Sequence, residues 1–269
     1  MPAVISWTLE GPEPPSPFRH AVGLRALTLA CIARSDRNLA TAVHDANQPK
    51  PYAIGPLQRV HGQDGLLRVE IGCSADWAVE PILNGLPPLG IRIGLGRTEY
   101  RFVGAEIRRQ ATFAQLREAG AEGLTIPLRM LTPTAHHAPG ALRRTVVVPD
   151  PVLYVGSWLR RWNLFADAPF DPAVLNAVAQ RVVVGAFAGG THSVTLDRGR
   201  IFLGFVGTVD LVVLPDDQTP DPLPHVLWAL ARLAEYCGTG VDTMRGMGRT
   251  RIARPQGSET KAGASVPRP

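Results

Sequence analysis

Two stretches of this chain combine residue types that do chemistry. The first is Val43-His44-Asp45-Ala46-Asn47-Gln48-Pro49-Lys50-Pro51. A histidine, with its ordinary pKa of about 6.5, can take or give a proton near neutrality. Lysine is a compact cation suited to charge developing on a phosphoryl oxygen. Each has a purely structural reading too: His44 could cap a helix end, and Lys50 could be a solvated loop residue. The second stretch is Gly238-Thr239-Gly240-Val241-Asp242-Thr243-Met244-Arg245-Gly246-Met247-Gly248-Arg249. Glycine accepts positive φ and lets backbone approach a ligand closely. Several N–H groups can then converge on one phosphate. No Gly-Lys-Ser/Thr follows, which excludes a P-loop. A helix precedes the loop and a strand follows it, the reverse of a dinucleotide fingerprint. Residues 243–254 hold Arg245, Arg249, Arg251 and Arg254 and no acid, whereas residues 210–221 hold Asp210, Asp216, Asp217 and Asp221 and no base. Such a basic loop suits a nucleic-acid backbone, through guanidinium forks and bare N–H groups. A simple connector is the competing reading.

The scaffold behind these residues is bounded by composition. The 269 residues suit two domains, and 45 % hydrophobic residues are enough to fill two cores. The formal charge of +5 permits a polyanionic partner without requiring one. Apolar runs such as 26–33 are too short to cross a bilayer, and no leader-like series opens the chain. Cys31, Cys73 and Cys237 are far apart and odd in number, which argues against a disulfide framework or a zinc site. A cytoplasmic protein without membrane contact is expected. Of the 28 basic residues only Lys50 and Lys261 are lysines. Codon bias explains most of that, yet it singles out Lys50 within an ordered region.

The order of elements suggests how the two stretches are held. A strand at 4–9 precedes a proline-rich loop. A buried helix follows at 21–34, then a short one at 36–44 with Ser35 as its N-cap. Strands at 52–60 and 66–73 flank a hairpin turn, and a helix runs over 75–83. Strands follow at 90–95, 98–109 and 124–131. This is the βαββαβ order of a ferredoxin-like domain with an extra hairpin. The turn-rich stretch 132–144 marks the junction. The second half reads as a strand at 145–148, a helix at 151–165, strands at 180–187, 191–197 and 201–214, a helix at 224–236 and a strand at 249–254. The expected fold class is α+β: two tandem ferredoxin-like (RRM-like) domains over 1–138 and 139–255, with a disordered tail over 256–269. Trp158 and Trp162 share a helix face and should pack a core, as should Met244 and Met247. His136 and His137 are expected in a solvated turn.

The helix and glycine loop at the C-terminal end resemble the signature of the CRISPR-associated precursor-RNA-processing endoribonucleases of the RAMP superfamily. The matching glycines are Gly238, Gly240, Gly246 and Gly248. Gly204-Phe205-Val206-Gly207 resembles the strand motif that precedes the helix. Ser157-Trp158-Leu159-Arg160-Arg161-Trp162-Asn163 resembles a segment near the start of the second domain. Leu39 to Asp45, followed by Pro49-Lys50-Pro51-Tyr52, resembles the helix end and loop that carry a catalytic histidine and lysine. The resemblance covers most of residues 1–254. It implies catalysis by His44 and Lys50. RNA binding is expected through Gly238, Gly240, Arg245, Gly246, Gly248, Arg249 and Arg251, with Arg160 and Arg161 as further phosphate contacts. It also implies attack by a ribose 2′-OH without metal or cofactor, giving a 2′,3′-cyclic phosphate and a 5′-OH. The implied partners are CRISPR repeat RNA, as precursor and as mature crRNA, and other effector subunits, with the chain a monomer or homodimer. Some members add a tyrosine on the first helix; Thr28-Leu29-Ala30-Cys31 has none, so the second proton-transfer group is unassigned. That gap favours the rival reading, a non-catalytic RNA-binding RAMP subunit, while His44 and Lys50 oppose it. A ferredoxin-like protein binding a nucleotide at the glycine loop is the third reading.

Overall fold

The computed structural model describes residues 1–138, 144–196, 199–216 and 221–253. Arg254, the expected tail and residues 139–143 at the expected junction lie outside them. In the first half β1 (Ala3–Glu10) is followed by α1 (Ala21–Ser35) and α2 (Arg37–Asp45). Next come β2 (Tyr52–Ile54), β3 (Gln58–Arg59) and β4 (Leu66–Cys73). A single 3-10 turn leads to α3 (Val79–Asn84), and β5 (Arg92–Leu95) and β6 (Thr98–Gln110) complete the half. The sheet is antiparallel in the order β2-β4-β1-β6-β5, with β3 on β4. Strand alternation sends Ala3, Ile5, Trp7 and Leu9 into the first core beneath α1. Val4 points the other way and packs in the second core. The N-cap of α2 is Asp36 rather than Ser35. Asp36 is extended, and its Oδ1 accepts from the Leu39 N–H at 2.9 Å, while Ser35 stays inside α1.

The second half comprises α4 (Phe113–Glu118), β7 (Thr125–Thr134), β8 (His136–His137), β9 (Thr145–Val146), α5 (Pro151–Phe165), α6 (Val174–Arg181), β10 (Val182–Thr195), β11 (Ile201–Val213), α7 (Leu223–Cys237) and β12 (Thr250–Ile252). Its sheet runs β10-β11-β7-β12, the antiparallel ferredoxin-like order. The fold is therefore the expected pair of ferredoxin-like units. Strand β7 lies on the N-terminal side of the expected 138/139 boundary, yet it pairs with β11 and β12 of the second sheet. A turn-rich loop marks a change of direction and does not reveal which sheet the preceding strand joins. Helices α4 and α6 were not expected. The expected strands 180–187 and 191–197 are one, β10. Its glycine break is bridged because Gly189 pairs across the ladder with Gly207, both at positive φ. A Cβ on Gly189 would stand 2.2 Å from the Val206 carbonyl oxygen, so only glycine fits.

The halves are packed directly on each other. A Cβ at Gly72 of β4 would lie 1.9 Å from the Tyr236 carbonyl oxygen of α7, so the helix end rests on bare strand backbone. Arg109 of β6 pairs with Glu235 of α7 at 3.2 Å. Leu227, Leu230 and Leu233 of α7 are fully buried in the second core. Each contributes roughly 1.5–3 kcal/mol on burial.

Candidate functional site

His44 lies in the last turn of α2, where the helix dipole favours positive charge. Its side chain is 61 % exposed and borders an open groove between α1 and α2, with Leu29, Ala30, Ala33, Arg37 and Thr41. His44 Nδ1 is 2.9 Å from Asp45 Oδ1. An ionised carboxylate only accepts, so Nδ1 carries the proton and Nε2 is the basic nitrogen. Among the described residues Nε2 has no partner.

Lys50 holds this helix end in place. Its Nζ donates to the carbonyls of Val43 at 2.6 Å, His44 at 2.9 Å and Ala46. An ammonium has three donors, and all three are taken. Lys50 thus caps the last carbonyls of α2 with its side chain and clasps the loop 46–50. Burial holds its pKa below the ordinary lysine value; Arg25 of α1 adds to this and Asp45 opposes it. Arg25 is therefore a second cation beside the histidine helix. Its electrostatic neighbourhood also includes Tyr52, whose hydroxyl is pushed up to about 12 by burial. Tyr52 is buried in the first core and does not supply the missing tyrosine.

The glycine loop is built differently from a phosphate cradle. Its backbone groups are largely spent within the protein. Thr239 N–H donates to the Gly248 carbonyl at 2.8 Å, Gly248 N–H to Pro133 at 3.0 Å and Val241 N–H to Ala135 at 3.0 Å. Gly238, Gly240, Gly246 and Gly248 all have positive φ. At Gly246 a Cβ would stand 2.9 Å from the Phe18 ring of the first half, so glycine there lets the halves meet. Met244 packs in the first core and Met247 is fully buried, as expected of anchors.

The arginines expected to meet RNA divide accordingly. Arg249 is 4 % exposed and paired with Glu70 of β4. Arg251 donates to Glu70 at 2.9 Å and to the Glu235 carbonyl at 3.0 Å. Arg161 is buried and donates to the Ser157 and Gly240 carbonyls. As placed, Arg249 and Arg161 bind protein, because acids and carbonyls remote in sequence close over them. Arg245 is partly exposed and paired with Asp242 at 2.6 Å. Arg160 is exposed and borders an apolar cleft with Gln48 and Pro49, next to the Lys50 clasp. His136 is not in a solvated turn: it is buried, stacks on Tyr154, and has its pKa lowered to about 4, by burial first and Arg161 second. Trp158 and Trp162 are core residues, as their spacing suggests.

Residues 128–250 match the model of the family described as CRISPR-associated endoribonuclease Cas6. The chain is similar to a solved structure described as a Cas6 (TTHB231) product complex, a protein of Thermus thermophilus. Identity is 27 %, coverage is 93 % of this chain and 99 % of that one, and the TM-score is 0.80. The Cas6 match thus covers residues 128–250, and the likeness to solved Cas6 endoribonucleases extends over nearly the whole chain. A second Cas6 product complex (TTHA0078) is 25 % identical over 94 % of this chain and 99 % of that one, at TM-score 0.75. A Cas6-related protein from Pyrococcus furiosus, 12 % identical over 95 % of this chain and 100 % of that one, shares the fold at TM-score 0.61. No curated protein matches the sequence significantly.

The Cas6 family match runs from β7 to β12 and so includes the glycine loop. His44 and Lys50 lie outside it and are covered by the whole-chain structural matches. Three residues of the site carry no signal that the sequence reading used. Asp45 orients His44 and is visible as the adjacent acid. Arg25 stands three residues before the expected tyrosine segment, with no local signal. Glu70, which neutralises Arg249 and Arg251, had none either, because its partners are more than a hundred residues away. Among the described residues no group of three His, Cys, Asp or Glu side chains is placed to hold a metal ion.

Proposed function

We propose that this enzyme cuts CRISPR precursor RNA within its repeats, by attack of a ribose 2′-OH on the adjacent phosphate. The observation that carries this reading is His44, with Nδ1 tied to Asp45 and Nε2 free on an open groove. In the step, the O2′–P bond forms and the P–O5′ bond breaks. The 2′-OH loses a proton and the 5′-oxygen gains one. His44 performs one of these transfers through Nε2, as base when neutral or as acid when protonated. Arg25, Lys50 and the C-terminal end of α2 set the local field. Arg25 adds positive charge beside Lys50, which favours the negative charge that builds on the phosphorane oxygens. Lys50 acts chiefly by fixing the histidine helix, since its three donors are engaged. The internal 2′-OH is already beside phosphorus, which gives proximity without a metal-generated hydroxide.

The similarity to Cas6 product complexes supports repeat RNA as the substrate. Arg160, exposed beside Gln48 and Pro49, is the arginine of the expected set best placed to meet it near the clasp. The test is incubation with a cognate repeat RNA and mapping of both new ends. A 5′-OH on one fragment and a 2′,3′-cyclic phosphate on the other are expected. A 5′-phosphate would exclude the proposed attack.

A further inference from the structure

The groove between α1 and α2 has a volume of about 400 Å³, and His44 holds only one end of it. At the other stands Arg37, the first residue of α2. The seven residues between them make close to two helical turns, so the two side chains share a face, about 10 Å apart along the axis. Thr41 lies between them, and its hydroxyl donates to the Arg37 carbonyl at 3.1 Å. The floor is apolar, formed by Leu29, Ala30 and Ala33 of α1 and Ala40 of α2. Arg37 is exposed, and among the described residues its guanidinium has no hydrogen bond or ion pair. Its polar neighbours are engaged elsewhere: Asp36 accepts from the Leu39 N–H, and Arg34 donates to the Gly85 carbonyl. A free guanidinium fork thus closes the far end of the apolar groove whose near end carries the basic nitrogen of His44.

We propose that this groove is a nucleobase subsite and that Arg37 reads a guanine beside the cut. The inference rests on the reading that His44 acts on repeat RNA. The ribose that carries the attacking 2′-OH also carries a base, so a base comes to the groove with it. A phosphate gains nothing from an apolar floor. The flat face of a base is largely apolar and is stabilised by leaving water for such a surface. At the Arg37 end, hydrogen bonding selects the base. Guanine offers two acceptors, O6 and N7, matched to a guanidinium fork. Adenine places an amino donor beside N7, cytosine presents an amino donor and uracil a single O4 acceptor, so none of them fills both arms. No carboxylate lines the groove to reverse that preference. Arg37 therefore sets which repeat is cut, and His44 how fast a seated repeat is cut.

Single-turnover cleavage by the full chain tests this. Repeat RNAs carry each of the four bases in turn at the nucleotide on either side of the cut. One more carries 7-deazaguanine, which lacks the N7 acceptor. At one of the two positions the wild type should cut the guanine RNA about tenfold or more faster than the others, as for a good bidentate base contact. 7-Deazaguanine should lose most of that gain. Arg37→Ala should cut all four RNAs within about threefold of one another, the relaxed specificity of a lost base contact. Arg37→Lys keeps the charge and loses the fork, and should relax specificity in the same way. It carries the test should Arg37→Ala fold poorly. Comparing variants with wild type on the same RNAs cancels any effect of a base change on RNA folding. The same guanine preference in wild type and variants, or equal cutting of all four RNAs by the wild type, would overturn the proposal. So would an Arg37→Ala that binds all four RNAs equally weakly with a salt slope smaller by about 0.7, the mark of a single-strand phosphate contact. Failure of the wild type to cut any repeat RNA would defeat the functional reading and this inference with it, and is told apart by the absence of any product.

Discussion

Replacing His44 with Ala should slow single-turnover cleavage of repeat RNA by about 10²–10⁴-fold, the usual contribution of a positioned acid or base. Affinity should stay close to that of the wild type. The side chain is largely exposed and, among the described residues, its hydrogen bond is to Asp45, so its loss removes little core packing. The melting temperature should therefore hold within a degree or two, the shift expected from well under 1 kcal/mol in a chain of this size. A histidine that merely capped α2 would behave in the opposite way, lowering stability while the folded fraction cut normally. The cap, however, is supplied by Lys50. Lys50→Ala should accordingly lower both stability and rate, with the rate loss smaller than that of His44→Ala. Measuring rate and melting on the same preparations separates the two roles.

Glu70→Ala should be the more damaging change for the fold, costing about 3–5 kcal/mol, as when one partner of a buried ion pair is removed. It leaves the Arg249 guanidinium, 5 % exposed, without its carboxylate and beside Arg251. Replacing Glu70 also unties β4 from β12 and so loosens the contact between halves. The effect has a pH signature. Burial pushes the Glu70 carboxyl up, but Arg249, Arg251 and Arg109 more than offset this and hold it below its ordinary value. A group whose folded pKa is lowered contributes stability fully above its unfolded pKa and loses it as pH falls through the folded value. The gap between wild type and Glu70→Ala in urea should thus be full at pH 7 and shrink in acid, below the usual glutamate range. A variant within about 1 kcal/mol of wild type at pH 7, with the same acid slope, would show that the cluster is not a lock.

The sequence exposed those parts of the site whose partners are local. Helix α5 has the ends expected from the sequence, and the signals that start it, the Asp150 cap and Pro151, are local. The histidine and lysine were legible as a pair because α2 and its loop are one contiguous stretch. Their division of labour was not, since three backbone carbonyls cannot be told from a phosphate by residue type. The capping box of Thr112 and Gln115 that starts α4 is an equally local signal. The glycine loop shows the opposite limit. Its arginines read as a basic run without acids, and the neutralising carboxylate, Glu70, lies 179 residues before Arg249. That distant partner is what buries Arg249 and ties it to β4. For the same reason the sequence places β7 with the first half: its partners β11 and β12 lie far along the chain.

Attack by the 2′-OH is tested most directly by cleavage of a repeat RNA carrying one 2′-deoxy nucleotide immediately 5′ of the cut, in excess EDTA. This RNA should bind as the all-ribose form does and stay intact, while the all-ribose form is cut in the same buffer. Cleavage of the deoxy substrate at the same position, or loss of all-ribose cleavage in EDTA, would contradict it.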